Sequence, residues 1–534
     1  MRYTLPLNKW SFEIADTGYK SSITLPHTWN IEPESVEYRG KGVYRTKLEI
    51  SDELAEKRAV LKLGAVYHSA KVYVNGILAG EHMGSGYTPF EFDITDKLNI
   101  GECEICVVAD NTPSEASLPN LKNFDWADDG GIIRQAMLLF TDKRAIKYLH
   151  AEAKIDTVEG ERCSGKLIIS SALTVCEPCS AVITVYDYTT GKAVLERNIT
   201  AFRTNAEIPF ESLKLWSPEH PNLYRVALDI GSDMLEVRCG IRSIEVKGER
   251  ILLNGEDIYL AGCEWMPGSH PDFGMAEPLY HSIKCLRQLK DAGCVFTRFH
   301  WQQDSSLYDW CDENGLLVQE EIPYWGYPKA ATPLQLEIAK RQADEMLLYH
   351  KNHPSIICWG VGNELQGANA DTIAYVCEMV NYFKQRDSFR LVNYVSNTLA
   401  HVGNANLDEA TRYGDIAMWN DYLGLWEHTD NLKAHAKRAC AKCAGMPLVI
   451  SEFGLCEPRF TGGDPERSKI LESRLCLYAE ISNVRGHVWF SLNDYRTHIG
   501  EEGEGVLKRR THGSSDIYGN EKPSYYLLKK LQTT

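Results

Sequence analysis

At 534 residues the chain is too long for one hydrophobic core, and it predicts two to four domains. An apolar fraction of 44% with 24% charged residues is that of a globular protein, and a net charge of -16 argues against nucleic acid or an anionic membrane as partner. Met1 to Lys20 holds no basic segment followed by an apolar one, and no later run reaches membrane-spanning length, which sets a cytoplasmic expectation.

Residues 1–145 alternate short strands and turns with almost no helical periodicity. "AKVYVNGILAG" has period-two alternation interrupted by Asn75-Gly76, a strong hairpin signal, and "YTPFEFDIT" and "CEICVVAD" continue the pattern. This reads as a β-sandwich. Residues 146–246 form a second all-β segment, with "GKLIISSALTV", "SAVITVYDY", "NLYRVALDI" and "LEVRCGIRSIEV", of a size that suits an immunoglobulin-like sandwich. From 247 to 534 apolar strands alternate with helix-period segments. "IYLAGCEW", "VFTRFHW", "LLVQEEI", "SIICWGVGNE", "RLVNYVS", "DIAMWNDY", "PLVISEFG" and "GHVWFSLND" give eight strands, as a (β/α)8 barrel requires.

Sixteen cysteines include three C-x-x-C pairs, Cys103/Cys106, Cys176/Cys179 and Cys440/Cys443, but they lie far apart and lack a His-x-x-x-His partner. Cys285, Cys294, Cys358 and Cys377 stand where small apolar residues would serve. The reading is structural thiols, with no metal and no cofactor. "WGVGNELQG" is not a nucleotide loop either: after Gly360 and Gly362 the third glycine position holds Leu365, and no Lys-Ser or Lys-Thr follows.

The chemistry that "WGVGNE" suggests is different. In a (β/α)8 barrel the reactive groups stand at the C-terminal strand ends. Glu364 ends the fourth strand and Glu452 the seventh, each after a buried-type run. Two carboxylates on one rim can work across a glycosidic bond, one protonating the leaving oxygen while the other attacks or activates water. A solvated loop residue is the ordinary fate of either glutamate alone; their pairing in two barrel slots is what makes the reading specific. Asn363 places an amide beside the acid, where it can bond a sugar hydroxyl or simply shape a turn.

These residues carry a family resemblance over nearly the whole chain. "LPHTWN", "YVNGILAGEHMGSGYTPFEFDIT" and "DDGGIIRQAML" resemble the jelly-roll, sugar-binding first domain of family 2 glycoside hydrolases. "LWSPEHPNLYRV" and "GIRSIEV" resemble its immunoglobulin-like domain, and "HPSIICWGVGNE" and "PLVISEFG" its barrel. The resemblance implies an exo-acting, retaining β-glycosidase of the galactosidase/glucuronidase branch, with Glu364 as acid/base and Glu452 as nucleophile. It implies a carbohydrate as the partner, and a homo-oligomer is compatible with it. By the same match, in "WNDYLGLW", Asn420 and Tyr422 face the pocket, Tyr422 bonds the nucleophile and Trp426 lines a wall. Asp125 is lent to the barrel by the first domain, Arg298 and His300 belong to the second strand's substrate-binding region, and Trp489 forms a platform under the sugar.

Two departures bear on the sugar. β-Glucuronidases hold the substrate carboxylate with an Asn-x-Lys pair near the C-terminus, and the aligned positions here are His512 and Ser514. Met266 stands near the slot of a pocket-facing histidine. A galactoside is therefore expected over a glucuronide, with Lys508, Arg509 and Arg510, Arg510 above all, as the alternative carboxylate clamp of a hexuronidase. A silent carbohydrate-binding protein on the same scaffold is the reading of another class. A metal-dependent barrel hydrolase is disfavoured by the lack of any His-x-His set on the barrel strands.

Overall fold

The structure is a computed structural model that describes residues 2–533 except 121–122, 327–331, 402–407, 458 and 500–507. The N-terminal region is a sandwich of a four-stranded and a six-stranded antiparallel sheet. In the larger sheet the strands Ser69–Val74 and Ile77–His82 pair through Val74 and Ile77, leaving Asn75 and Gly76 as a two-residue turn. Their φ values of 50° and 77° are those of a type I′ turn, which Asn-Gly adopts at low cost. Trp10, Phe12, Trp29, Leu61 and Val107 belong to the core that the two sheets share.

A second sandwich follows, with three strands in one sheet and four in the other. Its strands Ile146–Glu159 and Arg162–Leu173 form a long hairpin. The core is filled by Leu167, Ile169, Ile183, Val226 and their neighbours.

The remaining chain closes an eight-stranded parallel barrel. Its strands are β1 (Leu260–Glu264), β2 (Phe296–Phe299), β3 (Leu317–Glu321), β4 (Ile356–Asn363), β5 (Leu391–Ser396), β6 (Ala417–Asn420), β7 (Leu448–Phe453) and β8 (Val484–Phe490). Helices of ten or more residues follow every strand but β5, after which the described residues hold only the short 3-10 turn Ala410–Tyr413. β4 is buried at every position, so its apolar run serves two faces at once. Leu260, Phe296, Leu317, Met418 and Val488 form one core cluster with Trp216 of the second sandwich. Cys285, Cys440 and Cys443 are buried in the layer between barrel and helices, whereas Cys377 is half-buried. No helix among the described residues is long and apolar enough to cross a membrane.

Buried polar ties hold the sandwiches to the barrel. Arg390 bonds Glu152 of the second sandwich at 2.9 Å and Asp387 of the barrel at 3.0 Å. Beyond β8, the hairpin Tyr495–Thr497 with Lys508–Arg510 reaches the first domain. There Arg496 takes both oxygens of Asp129, at 2.6 and 3.0 Å, and His498 meets Asp128 at 2.5 Å. These contacts bring one loop of the first domain over the C-terminal rim of the barrel.

Candidate active site

Strand ends converge on a cavity of about 580 Å3 whose lining includes Asp125, Glu364, Tyr422, Glu452, Phe490 and His512. That is within the usual volume of small-ligand sites. Glycines make room beneath it. A Cβ on Gly360 would lie 2.2 Å from Gln319 Nε2 and 2.8 Å from Glu321 Cγ, so the glycine of "WGVGNE" lets side chains of β3 pack against β4.

Glu364 follows β4 in left-handed backbone, φ 57°, a conformation uncommon for a side-chain-bearing residue. Its N–H donates to Val395 O at 2.9 Å, and the next N–H, of Leu365, donates to Tyr394 Oη at 2.7 Å. These bonds hold the turn that aims Glu364 into the cavity. Asn420 Nδ2 donates to its Oε1 at 2.7 Å. Burial, and next the negative charge of Glu452, push the Glu364 carboxyl up to about 7, against the Asn420 bond and the Arg298 charge.

Glu452 on β7 accepts on both oxygens, from Arg298 Nη1 at 2.7 Å and from Tyr422 Oη at 2.9 Å. Burial and the Glu452 charge push the Tyr422 hydroxyl well above its ordinary range, which keeps it a donor. Asn420 and Tyr422 thus address the two carboxylates from one chain segment. The Asn420 amide is itself oriented by Ser451 Oγ, which donates to its Oδ1 at 2.8 Å. Asn363 is spent locally: its Oδ1 accepts from Asn420 at 3.1 Å and its Nδ2 donates to His300 Nε2 at 3.3 Å. In the matching tautomer His300 Nδ1 carries the proton and faces Glu321 Oε1 at 3.2 Å.

At the other wall Asp125 accepts from Tyr495 Oη at 3.0 Å and Thr497 Oγ1 at 2.9 Å, and pairs with Arg510 Nε at 2.9 Å. Burial pushes the Asp125 carboxyl upward while the Arg510 charge counters it. His512 is buried against Phe490 and Tyr495, with neither ring nitrogen bonded among the described residues. Burial, with Arg510, Arg467 and Lys522 nearby, holds its pKa well below the ordinary value, so it offers the cavity a neutral imidazole. Trp426 stands at the mouth, 50% exposed, with Phe460 edge-on at 5.0 Å.

Nine residues expected from sequence, Glu364, Glu452, Asp125, His300, Asn420, Tyr422, Trp426, Arg510 and His512, line this cavity, and so does Met266. Three others do not. Arg298 is fully buried beneath Glu452, and the Asn363 amide is consumed by His300 and Asn420. The expectation for Trp489 is corrected: it lies in the layer between barrel and helices, its indole donating to Ser514 Oγ at 2.8 Å, and the neighbouring Phe490 faces the cavity. Of the basic triplet, Arg509 points outward and Arg510 inward, as alternation along a short strand requires. Sequence reading missed Glu264 and Glu321, although both are strand-end carboxylates, and Trp325, His401 and Glu427, which lie on loops. One group among the described residues has metal-like spacing, Asp309, Asp312 and His353, but Arg238 pairs with Asp309, and Ser355 and His353 take Asp312.

Residues 6–142, 164–242 and 244–470 match, in turn, the sugar binding domain, the family described as glycosyl hydrolases family 2, and its TIM barrel domain. A β-galactosidase of Thermoanaerobacter pseudethanolicus is 31% identical over 458 residues, 82% of this chain and 57% of that protein. A β-glucuronidase of Bacteroides fragilis is 29% identical over 486 residues, 84% of this chain and 67% of that protein. The chain spans about half the length of the first of these curated relatives and two thirds of the second. Among solved structures, a β-galacturonidase from Eisenbergiella tayi bound to galacturonate shares the fold with a TM-score of 0.85 at 24% identity, covering 100% of this chain and 97% of that one. Fold and site thus define a three-domain barrel protein with paired carboxylates at one rim. The chain belongs to glycosyl hydrolase family 2.

Proposed function

We propose that this protein is an exo-acting, retaining β-glycosidase that removes a terminal β-linked sugar by double displacement. The carrying observation is the inequality of two carboxylates on one cavity. Glu452 is fixed on both oxygens by Arg298 and Tyr422, which suits a nucleophile. Glu364, pushed up to about 7, is suited to hold a proton at neutral pH. Glu364 protonates the leaving oxygen as Glu452 attacks the anomeric carbon. Glu364, now a base, then takes a proton from the water that releases the sugar. A 2-deoxy-2-fluoro glycoside of the correct configuration should label Glu452, and Glu452→Gln should lose several orders of magnitude in turnover. Labelling of another carboxylate overturns the assignment. Failure to hydrolyse any nitrophenyl glycoside supports the silent binding protein instead.

For the sugar we infer a neutral, galactoside-type unit. Arg510 is already paired with Asp125, and His512 is neutral, so a substrate carboxylate would have to share a matched guanidinium. A charged hydrogen bond contributes about 1.5–3 kcal/mol, and two missing ones cost on the order of a hundredfold in kcat/KM. The presence of Arg510 in the lining supports a second reading, a hexuronide, as do relatives named β-glucuronidase and β-galacturonidase. The measurement is kcat/KM for galactoside, glucuronide and galacturonide in wild type and Arg510→Ala. Preference for a uronide that Arg510→Ala selectively removes would establish the second reading.

A further inference from the structure

We propose that Glu264 is a positioning residue for the nucleophile: an uncharged carboxylic acid that shares Arg298 with Glu452 and leaves the guanidinium charge to Glu452 and Glu321. The proposal rests on Glu452 being the nucleophile. Arg298 stands at the end of β2 with three carboxylates around it. Its Nη1 is divided between Glu264 Oε2 at 3.0 Å and Glu452 Oε1 at 2.7 Å. Its Nη2 and Nε go to the two oxygens of Glu321, at 2.7 and 3.3 Å. Glu264, Arg298 and Glu321 are all fully buried.

Three ionised carboxylates on one guanidinium would leave an excess of two negative charges, with two of the three groups, Glu264 and Glu321, fully buried. Burial of unbalanced charge is costly enough that a group takes up a proton instead. The hydrogen bonds decide which one. Glu321 also accepts from Gln319 Nε2 at 2.8 Å and faces His300 at 3.2 Å. Burial works against its ionisation, but Arg298 and His300 prevail and hold it down to about 2. Glu452 has Tyr422 on its second oxygen and opens on the cavity. Glu264 has Arg298 alone, and its Oε1 has no hydrogen-bond partner among the described residues.

The charged groups that act on Glu264 are Arg298 from β2, Glu321 from β3 and Glu452 from β7. His300, just after β2, touches Arg298 and both other carboxylates. β8 is followed by the Leu492 N–H, which donates to the Glu264 backbone carbonyl at 2.7 Å. Burial, with the charges of Glu452 and Glu321, pushes the Glu264 carboxyl well above its ordinary range in spite of Arg298. Since Glu264 does not line the cavity, it acts through Arg298 and not on substrate.

An amide reproduces a protonated acid in shape and charge. Glu264→Gln should therefore keep wild-type kcat and both limbs of the pH profile. Glu264→Leu removes the acceptor at similar volume, frees Arg298 to swing, and should lower kcat about tenfold to a hundredfold with KM little changed, because a misplaced nucleophile is felt in the transition state. Infrared difference spectra should show a carboxylic C=O band in wild type that is missing in Glu264→Gln. If Glu264→Gln instead moves both limbs down by about one unit, Glu264 carried a charge and the proposal falls. Wild-type kcat in Glu264→Leu would remove the positioning role. Should Glu264→Leu fail to fold, the profile and spectrum of Glu264→Gln still decide. Fluorosugar labelling away from Glu452 would unseat the reading of the nucleophile, an outcome separate from the infrared result.

Discussion

Glu364 is poised between opposing influences, burial and the charges of Glu452 and Asp125 against the Asn420 bond and the Arg298 charge, and burial is the largest. Its carboxyl is raised from the ordinary 4.5 to about 7. The first chemical step needs the proton, so activity should fall as pH rises through about 7. In Glu364→Ala that alkaline limb should vanish, and substrates with activated aryl leaving groups should lose least, since they depart unprotonated. Equal loss on activated and unactivated substrates would count against the acid role. The same shift bears on stability. A carboxyl with a raised folded-state pKa contributes stability that is fully present below its unfolded value of 4.5 and is lost as pH rises through about 7. Glu364→Gln should therefore raise Tm at pH 8 and leave it nearly unchanged at pH 4. The glutamate itself was legible because a carboxylate at the tip of an apolar run is anomalous. The direction of its pKa shift was legible too, since a like charge on the same rim opposes ionisation, but burial, the larger cause, takes shape only in the folded chain.

β8 shows where reading by element reaches its limit. All eight barrel strands could be found, since each is an apolar run bounded by turn residues and most are followed by a helix-period segment. The phase of such a run is hidden: in a strand buried on both faces no polar-apolar alternation marks the inward side. In "VWFS" the resemblance implies Trp489 as the platform under the sugar. In the fold Trp489 packs against Phe453 beneath the helices, while Phe490 faces the cavity beside His512. The two positions should separate in mutation. Phe490→Ala should lower kcat/KM about tenfold or more with a modest change in Tm, because the lost surface belongs to the pocket. Trp489→Ala should cost about 3–5 kcal/mol of stability while the folded fraction keeps its KM. The reverse pattern would restore Trp489 to the pocket.

At the scale of the molecule the site exists only because two domains share it. The stretch "NFDWADDGG" carries Asp125, Asp128 and Asp129, and each meets the hairpin beyond β8 through a different partner. None of these partners is near in sequence: Arg496 and Asp129 are 367 residues apart. Local pattern therefore could not reveal the clamp, although Asp125 was legible through resemblance. Arg496 also donates to Gly268 O at 3.0 Å, and Asp129 accepts from the Met275 N–H at 2.9 Å, so the clamp includes the loop after β1. Removing one partner of a buried, hydrogen-bonded ion pair leaves the other uncompensated and typically costs about 3–5 kcal/mol. Arg496→Ala should lower Tm accordingly. It should also lower kcat/KM in the folded enzyme, because the loop that presents Asp125 to the cavity loses its hold. A second change, Asp129→Asn, removes the stranded charge and should recover part of the stability without recovering kcat/KM. If Arg496→Ala lowers Tm while the folded enzyme keeps full kcat/KM, the clamp serves stability alone, and Asp125 is held in place by Tyr495, Thr497 and Arg510 without it.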